Sequence, residues 1–276
     1  MRWVVAERPD VVVTTHFFPA DVVGALRRSG RLSSRFLIAI TDLFPHRMWV
    51  APEADVVAVG SEMTRQVCGQ RGIPSERLRV TGIPVGSRFG QPVERTTVYQ
   101  RLGLDPSRRT LLITSGGMGY GPIEGIVTGL VASEMAAERL QILVVCGNNH
   151  TLAARLERRC HKAPVPVRIF GFVETMPELM QASDLLVTKA GGLTIMEALT
   201  VGMPMVLCGI IPGQESLNAE YVVSQGAAVS APHPRDAVAR ALQLVEHPEQ
   251  LEAMRQKAKR LSRPHAADDI VALLTR

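Results

Sequence analysis

The chain has 276 residues, of which 46% are hydrophobic, 21% charged and 4% aromatic, and its formal net charge is +5. This length fits two modest α/β domains, and the composition excludes a disordered chain. No apolar run reaches the length of a membrane-spanning helix, and the first seven residues lack a signal-peptide pattern. The excess positive charge suits a phosphate-bearing ligand or an acidic lipid surface, although a solvated surface with no special partner fits it about as well.

Two series of short apolar runs alternate with helical stretches along the chain. The first series predicts buried parallel strands at residues 11–15, 37–40, 56–59 and 78–80. The second predicts strands at residues 111–114, 142–145, 167–170, 185–187 and 205–207. Strand–helix–strand alternation of this kind predicts two doubly wound sheets.

The segment 83–109 is rich in proline, glycine and arginine and differs from the sequence on both sides, which indicates an interdomain connection. We predict a first domain over residues 1–90, a linker over 91–108 and a second domain over 109–276. The last helix of the second domain could cross back to the first.

The two ends of the chain carry different signals. The first series of strands begins almost at Met1, as if in the middle of a sheet. We therefore expect the first domain to be incomplete, through a truncated gene model or a shortened protein. The C-terminal part from Pro248 predicts charged helices that are broken at Pro264, with a final helix over 266–274.

Four cysteines are scattered along the chain without a CxxC pair, namely Cys68, Cys146, Cys160 and Cys208. Zinc and redox motifs need close pairs, so this spacing indicates buried thiols. No clustered aspartate pair of the DxD kind is present either. We expect no metal.

A glycine-rich turn, TSGGMGYG over residues 114–121, directly follows a predicted strand. It precedes a helix whose apolar face would be Ile123, Ile126, Val127 and Leu130. Such a turn brings backbone N–H groups and the positive end of a helix close to an anion. A plain tight turn is the alternative, which four glycines within six residues disfavour. The spacing matches neither the dinucleotide fingerprint nor a P-loop.

A second turn, TKAGGLTIMEA over residues 188–198, again joins a strand to a helix. Thr194 and Glu197 have the spacing of a capping box, so both could be structural. In the functional interpretation, Gly191, Gly192 and Thr194 donate to a diphosphate and Glu197 accepts from ribose hydroxyls.

A third turn, PGQESLN over residues 212–218, places Gln214, Glu215 and Asn218 after another strand. Ligands of open α/β sheets bind at the carboxyl ends of the strands. The alternative is a surface loop that binds no ligand. Three such turns on one edge of one sheet favour a polyhydroxylated phosphate ligand.

Taken in order, these motifs resemble one family over nearly the whole chain. They are SGGMG, GFV (171–173), TKAGGLTIMEA and PGQExxN, preceded by PDVVVTTH (9–16), Thr-Asp (41–42) with a histidine and a tryptophan, and TGIPV (81–85). The set resembles the UDP-sugar-dependent glycolipid synthases, which include monogalactosyldiacylglycerol synthases and processive diacylglycerol glucosyltransferases. These are GT-B, family 28 glycosyltransferases, so the resemblance implies two Rossmann-like domains facing across a cleft, the N-terminal one on the acceptor side and incomplete.

The resemblance also implies a role for individual residues. The diphosphate of UDP would be held by Ser115, Gly116, Gly117, Met118, Gly119, Gly191, Gly192, Leu193 and Thr194. Phe172 and Val173 would meet the uracil and Glu197 the ribose. Gln214, Glu215 and Asn218 would read the sugar hydroxyls. Asp42 would be the candidate base, and His16, His46 and Trp49 would line the acceptor side, with either histidine an alternative base.

The implied reaction is the inverting transfer of a hexose from UDP-glucose or UDP-galactose to a diacylglycerol-type acceptor. Helix N-termini and backbone donors can stabilise the leaving diphosphate, so no cofactor and no metal is implied. The protein would be cytoplasmic and peripheral at the anionic inner face of the cell membrane, with no nucleic-acid partner. The glycine-rich loop ending in histidine that opens related enzymes has no counterpart before Arg8.

Two other functions remain open from the sequence. UDP-GlcNAc 2-epimerases share this fold and also bind UDP, and a non-catalytic remnant could still bind UDP. At the level of single residues, Asp42 could be a cap or turn residue, His16 a packed structural residue and Trp49 a core or interface aromatic.

Overall fold

The computed structural model describes residues 2–45 and 47–274. The chain divides into two compact units. The first consists of the residues up to Ser87 together with those from Arg263 onwards, and the second runs from Arg88 to Ser262.

Both units consist of strands that alternate with helices. The strands are β1 Val11–Thr14, β2 Arg35–Ala39, β3 Val56–Val59, β4 Leu78–Val80, β5 Arg109–Thr114, β6 Leu140–Val145, β7 Val167–Phe170, β8 Leu185–Thr188, β9 Met205–Leu207 and β10 Ala228–Ser230. The α-helices are α1 Arg2–Glu7, α2 Phe17–Arg28, α3 Glu62–Gln70, α4 Arg95–Leu102, α5 Ile123–Val131, α6 Glu134–Arg139, α7 His150–Cys160, α8 Met176–Ala182, α9 Gly192–Thr200, α10 Gln214–Ser224, α11 Pro234–Glu246, α12 Pro248–Leu261 and α13 Ala266–Ala272.

The first unit contains a four-stranded parallel sheet in the order β1-β2-β3-β4. Successive residues of β2 point to opposite faces, and both faces are buried. Phe36 and Ile38 pack into the larger core of the unit, whereas Leu37 packs with Ile270 of α13 on the other face. The strands of a parallel sheet that is buried on both sides have continuous apolar sequences, which is why these strands can be predicted from the sequence.

The second unit contains a six-stranded parallel sheet in the order β10-β9-β8-β5-β6-β7. From β5 the chain adds strands in one direction through β6 and β7, and then returns to add β8, β9 and β10 on the other side of β5. The strand order therefore reverses between the neighbours β5 and β8. Connections leave these two strands towards opposite sides, and the crevice at their carboxyl ends is the usual ligand position of such folds.

Helix α5 covers the core of the second unit through the predicted apolar face. Ile123, Ile126, Val127 and Leu130 are its buried residues, as predicted. On another side it packs against α11 through Gly129, because a Cβ there would lie 2.8 Å from the side chain of Val238. Glycine thus allows a close approach of the two helices.

The predicted strands are confirmed as parallel strands, with ends that differ by up to two residues. The short strand β10 was not predicted. The break at Pro264 is confirmed between α12 and α13, and α13 belongs to the first unit. The segment 91–108 contains helix α4 and lies in the second unit, whereas the assignment of domains and linker from the sequence stays a prediction.

Asp184 anchors helix α4 to the amino-terminal edge of the second sheet. Its buried carboxylate accepts the backbone N–H of Thr110 at 2.8 Å and the guanidinium of Arg95, on α4, at 3.1 Å. The Tyr99 hydroxyl, one turn further along α4, is 2.8 Å from the hydroxyl of Thr110. These bonds explain why a polar segment forms an ordered helix there.

We expect Asp184→Ala to lower the free energy of unfolding by about 3 kcal/mol, because a buried N–H and a partly buried guanidinium lose their acceptor. Urea denaturation monitored by circular dichroism measures this change. The matched control is Glu252→Ala, which removes an exposed carboxylate that pairs with the partly exposed Arg255 and should cost no more than about 0.5 kcal/mol. Equal effects of the two substitutions would contradict the anchoring role.

Candidate functional site

The first glycine-rich loop follows β5 at the point where the strand order reverses. Gly116, Gly119 and Gly121 have positive φ, so the loop needs glycine at these positions for its backbone conformation. The Ser115 hydroxyl donates to the carbonyl of Tyr120 and closes the loop. The N–H of Asn148 donates to the Gly117 carbonyl at 2.8 Å, which fastens the loop to the end of β6.

Two glycines of this loop differ in what surrounds them. A Cβ on Gly119 would lie 2.0 Å from the carbonyl oxygen of Cys146, so its glycine is required by packing. Gly117 does not have a positive φ, and a Cβ there would meet no heavy atom within 4 Å. Packing and backbone angles of the chain therefore explain Gly119 but not Gly117, which faces open space.

The second loop follows β8, the neighbour of β5. Helix α9 begins at Gly192 with Gly191 as its N-cap residue, and no side chain caps the helix. The capping-box interpretation is therefore wrong, because Thr194 lies inside the first turn and Glu197 one turn further on. The first N–H groups of α9 are available to a ligand, as expected for an uncapped helix start.

Unpaired polar groups accumulate at this edge of the sheet. Thr114 and Thr188 end β5 and β8, and within the described residues their buried hydroxyls have no hydrogen-bond partner. Glu197 is mostly buried, and no group in the described part of the chain forms a hydrogen bond or ion pair with its carboxyl. Burial raises the pKa of Glu197 to about 7. A carboxyl group in this setting gains from any hydroxyl that reaches it.

The third loop leads from β9 into α10, with Gly213 at φ 108° before the helix. Gln214 and Glu215 form its first turn. The Glu215 Oε2 accepts the N–H of Ile211 at 3.1 Å, and its Oε1 forms an ion pair with the ammonium of Lys189 in the second loop. Asn218 is 1% exposed and donates to the Ala190 carbonyl at 3.2 Å, so it ties α10 to the second loop from beneath.

Lys189 is the residue of this edge that the sequence analysis missed. Only a count of charges could have indicated it, because it is the single cation within residues 114–121, 188–198 and 208–218, all of which the structure describes. Its partner Glu215 lies 26 residues further along the chain, and no short-range spacing connects the two.

The GFV segment follows β7, two strands away from β5, which corresponds to roughly 10 Å. Phe172 is exposed, as are several other large apolar residues on these loops: Met118, Tyr120, Leu193 and Ile211. An exposed apolar rim around unpaired polar groups is typical of a ligand site. The site residues predicted for the second unit thus all lie at one edge of its sheet, and their individual roles stay predictions.

In the first unit, the carboxyl ends of β1 and β2 bring together three predicted site residues. The Trp49 indole donates to Oδ2 of Asp42 at 2.9 Å, and the ring centroids of His16 and Trp49 are 6.3 Å apart. Trp49 is 1% exposed, so it belongs to the core and would affect a bound molecule through Asp42. His46 lies outside the described residues.

His16 has a structural role at the start of α2. It is the N-cap residue, and its Nδ1 accepts the N–H of Phe18 at 3.2 Å. A neutral imidazole with this acceptor carries its proton on Nε2. In that tautomer Nε2 donates, and the roles of His16 and Asp42 as bases stay predictions.

Within the described residues, no group of three or more His, Cys, Asp or Glu side chains could hold a metal ion. None of the described helices combines the length and the apolar character needed to cross a bilayer. The absence of a metal or other cofactor stays a prediction.

Comparisons of sequence place both units within known families. Residues 110–270 match the glycosyltransferase family 28 C-terminal domain, and residues 2–85 match the monogalactosyldiacylglycerol (MGDG) synthase family. Over 266 residues the chain is 33% identical to a processive diacylglycerol beta-glucosyltransferase of Bacillus cereus (strain AH187), covering 96% of this chain and 67% of the relative. A Bacillus anthracis (strain A0248) protein of the same name matches equally well, with the same identity and coverage.

Comparisons of structure show the fold. Acinetobacter baumannii MurG superposes with a TM-score of 0.72 at 20% identity, covering 99% of this chain and 76% of MurG. The UDP-GlcNAc 2-epimerase of Neisseria meningitidis, solved with UDP-GlcNAc, gives a TM-score of 0.73 at 17% identity, covering 99% and 78%. The predicted GT-B class with two Rossmann-like units is thereby confirmed.

We expect Glu197→Gln to stabilise the ligand-free protein at alkaline pH. Because burial holds the Glu197 pKa at about 7, above its ordinary 4.5, ionisation disfavours the folded state as the pH rises from about 4.5 to 7, by at most on the order of 3 kcal/mol. Glutamine does not ionise, so the melting temperature should rise at pH 8.5 and the gain should shrink towards pH 4.5. The control is the exposed Glu220→Gln, and a gain that is independent of pH would contradict the argument.

Proposed function

Because the chain belongs to the family 28 glycosyltransferases, together with the processive diacylglycerol glucosyltransferases, we propose that it transfers a hexose from a UDP-sugar to a diacylglycerol-type lipid with inversion. One observation carries this proposal. The turns after the neighbouring strands β5 and β8, where the strand order reverses, contain an uncapped helix start and open space at Gly117, and Glu197 beside them has no partner among the described residues.

The second unit would bind the donor through these groups. The N–H groups at the start of α9 and the backbone around Gly117 are suited to the diphosphate, since they provide neutral donors together with the positive end of a helix. Glu197 would accept from the ribose hydroxyls, which relieves its unpaired state. Phe172 and Val173 would contact the uracil, and Gln214 and Glu215 the sugar.

Transfer needs a proton acceptor and stabilisation of the leaving group. The oxygen of the lipid hydroxyl would attack the anomeric carbon while the bond from that carbon to the diphosphate breaks on the opposite face. The hydroxyl proton would pass to Asp42, which the Trp49 N–H holds in place. Charge that develops on the diphosphate would be taken up by the amides of the glycine loops.

The finer assignments are part of the proposal. The names of the Bacillus relatives favour UDP-glucose over UDP-galactose as the donor, and diacylglycerol as the acceptor. In the first unit the exposed Trp3 and Phe18 would suit the interface of an anionic membrane, where the protein would be peripheral at the inner face. We propose that the reaction uses neither a metal nor a cofactor.

The test supplies UDP-glucose or UDP-galactose and measures release of UDP, with and without diacylglycerol in phosphatidylglycerol vesicles. We expect release that depends on diacylglycerol, and Asp42→Asn should lower kcat about 100-fold or more, because the general base is lost. Asp21→Asn, an exposed change in the same unit, is the matched control. Epimerisation of the UDP-sugar without release of UDP would instead support an isomerase.

Gly117→Ala tests the diphosphate site directly. A methyl group at this position would meet no atom of the protein, so the melting temperature should stay within about 2 °C of the wild-type value. The same methyl group would enter the space that the diphosphate is proposed to occupy. We expect UDP affinity, measured by calorimetry, to fall about tenfold or more. Gly119→Ala is the contrasting variant, since its clash with Cys146 should lower stability itself. Unchanged UDP affinity in Gly117→Ala would contradict the assignment.

A further inference from the structure

Lys189 is the residue at which the three loops of the second unit meet. Its ammonium forms the ion pair with Glu215 at the start of α10. The same Nζ lies 3.6 Å from the point that a Cβ on Gly191 would occupy, and its Cε lies 3.8 Å from the corresponding point on Gly116. One side chain thus lies against the backbone of both loops that would hold the diphosphate, while it is bonded to the helix that would contact the sugar.

The charges of the loops make this cation important. Within residues 114–121, 188–198 and 208–218 the charged side chains are Lys189, Glu197 and Glu215. A diphosphate would therefore enter a site that already contains two carboxyl groups. Neutral amides solvate its charge, but a cation within reach strengthens binding further, since charge-assisted hydrogen bonds are about twice as strong as neutral ones.

We propose that Lys189 exchanges partners when the donor binds. Its ammonium breaks the ion pair with Glu215 and binds the diphosphate instead, and the Glu215 carboxylate then becomes available to the hydroxyls of the sugar. This inference rests on the proposed function, because it requires a UDP-sugar as the ligand of these loops. The exchange needs only a short movement of the flexible lysine side chain. Glu215 keeps its place meanwhile, because its other oxygen holds the N–H of Ile211.

The exchange makes recognition of the sugar depend on recognition of the diphosphate. While no diphosphate is bound, Lys189 occupies the carboxylate that would bind sugar hydroxyls. The side chains of the pair are 24% and 14% exposed, so water competes only partly for either group. Lys189 thus blocks Glu215 while no diphosphate is bound and becomes a ligand of the diphosphate when it binds.

This role predicts opposite effects for the two members of the pair. Lys189→Met should weaken UDP binding about tenfold or more and leave binding of uridine, which has no phosphate, unchanged. Glu215→Gln should strengthen UDP binding several-fold, because the lysine is no longer held. The same variant should lose the preference for UDP-glucose over UDP.

The experiment is calorimetry on the full chain with UDP, uridine and UDP-glucose, accompanied by melting temperatures. Lys189→Arg is the conservative control and should retain UDP affinity within a few-fold. Weaker UDP binding in both Lys189→Met and Glu215→Gln would show a purely structural pair and overturn the inference. If Lys189→Met does not fold, the sign of the change in Glu215→Gln decides. Absence of UDP binding by the wild type would overturn the proposed function itself, and this inference with it.

Discussion

The reversal of strand order between β5 and β8 is the constraint on which the candidate site depends. Two parallel neighbours send their connections to opposite sides of the sheet, so no helix can cover the crevice at their carboxyl ends. The turns after both strands must then end in helices whose N-termini point towards that crevice. Gly117 follows from this geometry, since a side chain there would fill the open space that the backbone leaves, whereas Gly116, Gly119 and Gly121 are needed for their positive φ.

The loops at this edge are held in place by a few bonds to the scaffold beneath them. Asn148 fastens the first loop to β6, and Asn218 fastens the second loop to α10. Such supports leave the ligand-facing groups unpaired and yet fixed, which limits the reorganisation that binding requires. Gly119 belongs to the support, whereas Gly117 faces open space, although the two belong to one motif.

The sequence predicts most of the fold because the relevant signals are local. Strands buried on both faces appear as apolar runs, and the buried stripe of α5 appears at helical spacing. The strand β10 is missed because Ala-Val-Ser contains a single residue with a strong preference for strands, whereas the equally short β4 and β9 contain larger apolar side chains. Helix α4 is missed because its order comes from the contact of Arg95 with Asp184, 89 residues away. A contact between residues so far apart in the chain cannot be predicted from the local composition.

The site was predictable to the extent that backbone chemistry determines it. The spacing of the glycines indicated which loops belong to the candidate site. It did not indicate the residue at which α9 starts, so Thr194 and Glu197 were also compatible with a capping box. The helix begins two residues before Thr194, because Gly191 serves as the N-cap residue. The pair of Lys189 and Glu215 joins two loops that only the folded sheet brings together, so the sequence did not predict it.

Glu197 shows how the free protein prepares for its ligand. Its carboxyl is mostly withdrawn from water without receiving a partner, which disfavours the charged form and raises the pKa. A ligand with hydroxyl groups at this position restores the lost hydrogen bonds, whereas a ligand without them leaves a buried carboxyl unpaired. Sites of this kind discriminate strongly against an analogue that lacks the hydroxyl, more strongly than apolar pockets discriminate by size. If Glu197 binds ribose as proposed, the stability that the fold gives up at this residue would favour a ribose-bearing nucleotide over a phosphate compound without the sugar.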